Sequence, residues 1–402
     1  MFRRSARAAA ACLAATSFIA LAACTAGMAG FSRLPRQDLF RLSIGRMEDQ
    51  LDIGQASGNL GKLRIYMRDG LIFICNGQGR KVMKFSSYGD LLSLVYNPDY
   101  NPAPVIMGQQ GDGAALKRSH ELPLREAGEI VVNSRKEFFV EDRLPPDRGV
   151  REEEMDILLD AVILRFAQDG SFRDYLGQEG LGGTPFANVS GLYCTAGDDI
   201  VVVSATRSSY DVFWFDDGQT LAHSLSVRRD ALPMPAQGQF NASLEKIVPG
   251  DGDRMLYMKV DYYRELLDPS TGVQVGVEFD RSLVWSLDPA DGRIFDPVEV
   301  PVLRIKEGTG FGTGDYVRGY ELLGLAADGH MCFIMPEDDG SYALLTMDRY
   351  GGRTRKFRLD PGEPGLLASS LQLGLDGIVT GIFVGAREAR VSWWRIDKAI
   401  GK

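Results

Sequence analysis

The chain has 402 residues, 45% hydrophobic and 25% charged, the composition of a folded globular protein rather than a disordered, collagen-like or coiled-coil one. Its 46 glycines and 18 prolines indicate many turns, as in an all-β architecture. A formal charge of −9 excludes the basic surface that a nucleic-acid partner requires.

In chain order, the first element is an export signal. Arg3, Arg4 and Arg7 form a basic start, Ala8 to Ala20 an apolar stretch too short to span a bilayer, and Leu21-Ala22-Ala23 precedes Cys24. Leu-Ala-Ala-Cys resembles the lipobox of bacterial lipoproteins, whose cysteine becomes the acylated first residue of the mature chain. That resemblance implies a signal peptide over residues 1–23, lipidation (palmitate or a similar chain) at Cys24 and a tether over 24–36. It also implies attachment to a membrane of the bacterial cell envelope, on its periplasmic or its surface face. Loss of 1–23 removes arginines and no acid, so the mature body is more acidic still. Its lipid rather than its charge would hold it to an anionic membrane.

From residue 37 to 402 a repeat sets the fold. Apolar pairs at spacing two, Met83/Phe85, Leu164/Phe166, Phe213/Phe215, Trp285/Leu287, Leu345/Met347 and Trp394/Ile396, mark strands with one buried face. Gly89-Asp90, Asp169-Gly170, Asp217-Gly218, Asp291-Gly292 and Gly351-Gly352 follow as turns. Upstream of each lies a second apolar run, from Ile72–Cys75 to Ile382–Val384, with its own turn, as at Asp69-Gly70 and Asp376-Gly377. A further short run, such as Leu63–Met67 or Leu192–Cys194, comes before that turn. Repeats of strand, turn, strand, loop, strand, turn, strand predict a six-bladed β-propeller of four-stranded antiparallel blades. The last unit lacks an outer strand, since only Asp397 to Lys402 follow it. The alternation Phe40, Leu42, Ile44 within Leu39–Gly45 predicts an N-terminal strand that closes the ring.

The unit containing Gly180–Gly183, Pro185-Phe186, Leu192-Tyr193-Cys194 and Val212 to Gly218 resembles an NHL-type propeller repeat, and Arg80 to Gly89 is similar. With the lipobox, the chain is similar to a group of uncharacterised spirochaete-type lipoproteins. The resemblance implies a fold and no particular activity.

The tight turns fall on one face of such a ring. The longer connections, 97–127, 144–155, 261–278 and 302–318, interrupt or join units on the other, where binding is expected. Tyr100, Arg148, Tyr262, Tyr263, Phe311 and Tyr316 are the candidate contact residues there, aromatic and Arg side chains being favoured anchors. Cys12 departs with the signal, and Cys75, Cys194 and Cys332 read as free, buried strand residues, with no CxxC pair for zinc. His120, His223 and His330 stand apart, without His-Glu-x-x-His or Gly-x-Ser-x-Gly. Gly308–Gly314 lacks the Lys-Ser/Thr of a phosphate loop. No catalytic residue and no cofactor is therefore expected. Two function classes follow. The leading one is a non-enzymatic, membrane-anchored propeller that binds a protein or cell-envelope ligand through its long-loop face. The other is a hydrolase or lactonase resembling the metal-dependent six-bladed family, with Glu126, Asn188 and Glu321 as metal ligands at the channel mouth.

Overall fold

The computed structural model describes residues 31–54, 61–105, 118–153, 156–309, 312–363 and 365–400; Cys24, residues 1–23 expected to form a signal peptide, and Phe311 lie outside them. Blade 1 comprises Leu63–Arg68, Leu71–Asn76, Lys81–Phe85 and Leu91–Tyr96, and blade 2 Ile130–Val132, Phe138–Arg143, Ala161–Phe166 and Phe172–Gly177. Blade 3 holds Val189–Cys194, Ile200–Ala205, Ser209–Phe215 and Leu221–Arg228. Blade 4 holds Asn241–Pro249, Leu256–Leu267, Gln274–Leu287 and Val298–Val300. Blade 5 is built from Glu321–Leu325, Met331–Pro336, Tyr342–Met347 and Thr354–Leu359, and blade 6 from Ala368–Leu373, Ile378–Val384, Glu388–Arg395 and Arg36–Ser43. The first strand of each blade meets those of its neighbours, so that Leu63–Arg68 touches both Ile130–Val132 and Ala368–Leu373 and the ring is complete. This is the six-bladed propeller expected from the repeat.

The residue patterns follow from position. Middle strands are pressed between two blades, so Ile200–Val203 is an unbroken apolar run with both faces buried. The outer strand Leu221–Arg228 instead alternates half-buried and exposed residues. Between blades 1 and 2 the rings of Phe73 and Phe138 lie 5.5 Å apart, and Phe138 stacks on Phe166 at 4.8 Å. Burial of each such side chain contributes about 1.5–3 kcal/mol. Asp69 and Gly70 take φ of 50° and 75°, the paired positive values of a two-residue hairpin turn.

The closing strand is present and begins earlier than its apolar alternation suggested. Arg36–Ser43 runs antiparallel to Glu388–Arg395, from Arg36 opposite Trp394 to Ser43 opposite Glu388. Ser392 Oγ donates to Asp38 Oδ1 at 2.7 Å and Trp393 Nε1 to Gln37 Oε1 at 2.9 Å. Residues 31–36, assigned to the tether on sequence, are docked on the propeller: Ser32–Arg33 pairs in parallel with Phe357–Arg358, and Leu34 is buried.

Two of the long connections are strands rather than loops. Residues 261–278 continue two blade-4 strands beyond the blade as a paired arm, with Leu267 opposite Gln274 near its end. Within 302–318 lies a separate hairpin, Leu303–Thr309 with Gly312–Arg318. The physical reason is local: Val273, Val275 and Val277 are β-branched residues at strand spacing, so the ladder continues where the blade ends. Gly180–Leu181, read as the opening of blade 3, folds back onto the outer strand of blade 2. Among the described residues, no helix is long and apolar enough to cross a membrane, and Cys75, Cys194 and Cys332 are free and buried.

Candidate functional site at the channel mouth

The six first strands enclose a cavity of about 600 Å³ along the propeller axis. Polar residues interrupt these otherwise apolar strands on the side that leads to the long connections. Arg64 falls between Leu63 and Ile65, Glu129 precedes Ile130, and Glu321 opens the first strand of blade 5. In blade 4 a bulge between Leu244 and Lys246 breaks the two-residue alternation. Glu245 and Lys246 consequently both reach blade 5.

These side chains tie inner strands together where no backbone ladder joins them. Arg64 bridges blades 1 and 2, its Nε and Nη2 lying 2.8 and 2.7 Å from Glu129 Oε1. Lys62 Nζ donates to both Glu141 oxygens, at 2.8 and 2.6 Å, and to the Val189 carbonyl at 3.1 Å. Glu245 Oε2 accepts the Leu322 N–H at 3.1 Å, while Lys246 Nζ donates to the carbonyls of Leu322 and Leu323 at 2.9 and 3.4 Å. The buried Lys259 lies 3.5 Å from Glu245 and donates to Asp261 at 2.6 Å. Strand edges turned toward a channel would otherwise leave polar groups unpaired.

Tyr193 and Glu321 present polar groups without a partner to this mouth. Neither the Tyr193 hydroxyl nor the Glu321 carboxylate makes a hydrogen bond or ion pair among the described residues, and both residues line the cavity. The Tyr193 ring lies over Gly191, where a Cβ would come within 2.8 Å of Cε2 and of the hydroxyl oxygen, so glycine at 191 admits the ring. Burial raises the Tyr193 hydroxyl well above the usual tyrosine range, helped by the charges of Glu129 and Glu245. Burial likewise pushes the Lys246 ammonium down, against the pull of Glu245, Glu129 and Glu321. For Glu245, burial raises the carboxyl while Lys259, the Leu322 N–H and Lys246 lower it. The mouth thus offers fixed donors and acceptors whose charges largely cancel.

The contact residues expected from sequence do not gather here. Tyr100 sits beyond the outer strand of blade 1 with the Arg80 guanidinium 3.7 Å above its ring. Arg148, on the short Pro146–Arg148 turn, borders a separate hollow of about 390 Å³ against Tyr175 and Gly182–Pro185. Tyr262 is not a surface contact: it is fully buried on a blade-4 strand, donating to the Pro233 carbonyl at 2.6 Å and accepting from Trp285 Nε1 at 2.9 Å. Tyr263, half-buried beside it, packs edge-on to Phe279 at 5.8 Å. Tyr316 lies on the Gly312–Arg318 strand, and Phe311 lies outside the described residues.

The oxygens suggested for a metal do not converge either. Glu126 Oε2 accepts from Arg143 Nε at 2.8 Å, and Asn188 Oδ1 lies 3.4 Å from Arg143 Nη2, so both turn to one guanidinium. Only Glu321 faces the channel. No group of three metal-ligating side chains exists among the described residues. Glu126, Asn188 and Glu321 therefore do not form the metal site suggested for them. Arg64, Glu129, Tyr193, Glu245 and Lys246 escaped the sequence reading. Their signal was a charged or hydroxylated side chain inside an inner-strand run, and that shows only once strand position is known.

The chain matches no family in a scan of protein families and no curated protein. Solved structures share its general form at low identity. One is the β-propeller domain of the trilobed protease from Pyrococcus furiosus, with TM-score 0.41 and 11% identity over 83% of this chain and 95% of that one. A gluconolactonase from Xanthomonas campestris has TM-score 0.39 and 11% identity over 83% and 85% of the two chains. An ulvan lyase of polysaccharide lyase family PL25 has TM-score 0.41 and 13% identity over 90% and 83%. At such scores none of them transfers an activity to this chain.

Proposed function

We propose that this chain is a cell-envelope lipoprotein, acylated at Cys24, whose propeller captures a protein or envelope ligand on its long-connection face without chemistry of its own. The ligand seats in the channel mouth. What carries this reading is the pairing pattern: Arg64, Glu129, Glu245 and Lys246 are all engaged, while Tyr193 and Glu321 present free polar groups to the same cavity. Unpaired polar groups beside satisfied ones are where a ligand gains most from hydrogen bonding. The test is capture of envelope components by the detergent-solubilised full chain. Capture is expected from the unaltered protein and not from the Tyr193→Phe, Glu321→Gln double variant; equal capture by both would sink the mouth as the site. The anchor is tested separately. Cys24→Ser is expected to abolish labelling by radioactive fatty acid, and continued labelling would refute the lipidation.

A further inference from the structure

We infer that the channel mouth takes a neutral polyhydroxyl ligand, a short oligosaccharide, in preference to an ionic one; this rests on the reading that the mouth is the binding site.

The charge arrangement separates the two classes. An anionic ligand seeking Arg64 or Lys246 meets cations already committed, Arg64 to Glu129 and Lys246 to two carbonyls beside Glu245. Taking the Arg64 guanidinium for itself would leave Glu129 with Lys62, 4.0 Å away, as its remaining counter-charge in the cavity wall, which costs free energy for a poorly solvated carboxylate. A cationic ligand attracted to Glu321 would share the cavity with the Lys246 ammonium, which lines it as well. Hydroxyl groups escape both conflicts because each one donates and accepts. A vicinal diol can donate twice to the free Glu321 carboxylate, and a third hydroxyl can exchange a hydrogen bond with Tyr193, with no existing bridge opened. The cavity of about 600 Å³ lies within the size range of small-molecule sites, roughly 300–1,000 Å³.

The experiment is isothermal titration of the full chain in detergent with cellobiose, maltotriose and diacetylchitobiose, against digalacturonate as the anionic and the glucosamine dimer as the cationic counterpart. At least one neutral sugar is expected to bind, with both charged counterparts weaker by about tenfold or more. Glu321→Gln and Tyr193→Phe are each expected to weaken it by about tenfold. Tyr350→Ala, altering a highly exposed residue on the tight-turn side of blade 5, is expected to change nothing. Tighter binding of either charged counterpart overturns the inference, as does the absence of any neutral binding. If envelope capture depends on Tyr193 and Glu321 while no neutral sugar binds, this inference fails and the proposed site stands. If neither capture nor sugar binding responds to those residues, both fall.

Discussion

Asp142 is 4% exposed and accepts the backbone N–H groups of Arg125 and Glu126 at 3.0 and 2.7 Å. Burial outweighs these bonds and raises its carboxyl to about 6. An unfolded aspartate titrates near 3.9, so between about pH 4 and 6 the folded chain holds a proton that the unfolded chain has lost. Stability therefore falls as pH rises through that window, by on the order of 3 kcal/mol from this group. Urea midpoints of the unaltered protein, relative to Asp142→Asn, should decline from pH 4 to 6 and then level; a flat difference would contradict the assignment. Tyr262 gives a second test. Phe there leaves the Trp285 N–H and the Pro233 carbonyl without their partner, and about 1–3 kcal/mol of stability should be lost in denaturant melts. Gly191→Ala forces the Tyr193 ring aside, so ligand capture should weaken while the melting temperature changes little. These residues also mark how far the sequence could be read. An aromatic in a long connection suggests exposure, but Tyr262 sits on a strand whose register turns it inward. Arg64 sits inside an apolar run and Lys246 beside a bulge, and only the channel's position explains them.

The blade-4 arm and the closing strand have opposite weights in the fold. Arm residues Leu266, Leu267, Val273, Val275 and Val277 are all exposed, and Arg264–Leu267 pair only with the facing strand of the arm. The arm's base differs, because Tyr262 is core and Asp261 holds the buried Lys259. Replacing residues 264–278 by an Asn-Gly turn should thus leave the melting temperature nearly unchanged. Removing 36–43 should lower it sharply by exposing the ladder of Glu388–Arg395 and the apolar side chains behind it. A stable 36–43 deletion would show that closure contributes little. The closing strand was legible because the last repeat was one strand short. The arm was hidden because turn residues such as Pro269, Ser270 and Gly272 made the whole stretch look like loop.

At the scale of the whole molecule, the repeat made the architecture readable. A four-strand unit cannot bury its faces alone, so each unit carries the same apolar signature. The site has no such redundancy, since its polar residues recur at no fixed position of the repeat: Arg64 in blade 1, Tyr193 in blade 3 and a Glu245-Lys246 pair in blade 4. The same close packing shields the thiols. Burial pushes Cys194 and Cys332 up to about 12 and Cys75 well above its usual value. Aromatic disulfide reagent at pH 8 should find Cys75, Cys194 and Cys332 unreactive in the folded protein and all reactive in denaturant; reaction of any of them before unfolding would contradict the packing. The closed ring also sets a timetable for synthesis. Asp38 and Ser392 are 354 residues apart, and a ribosome adding roughly 5–20 residues each second needs roughly 20–70 s between them. Throughout that interval Arg36–Ser43 lacks its ladder partner Glu388–Arg395. Its make-up suits the wait: Arg36, Asp38 and Arg41 interrupt Leu39, Phe40 and Leu42, so a nascent segment that must stay single carries its own guard against sticking to other chains.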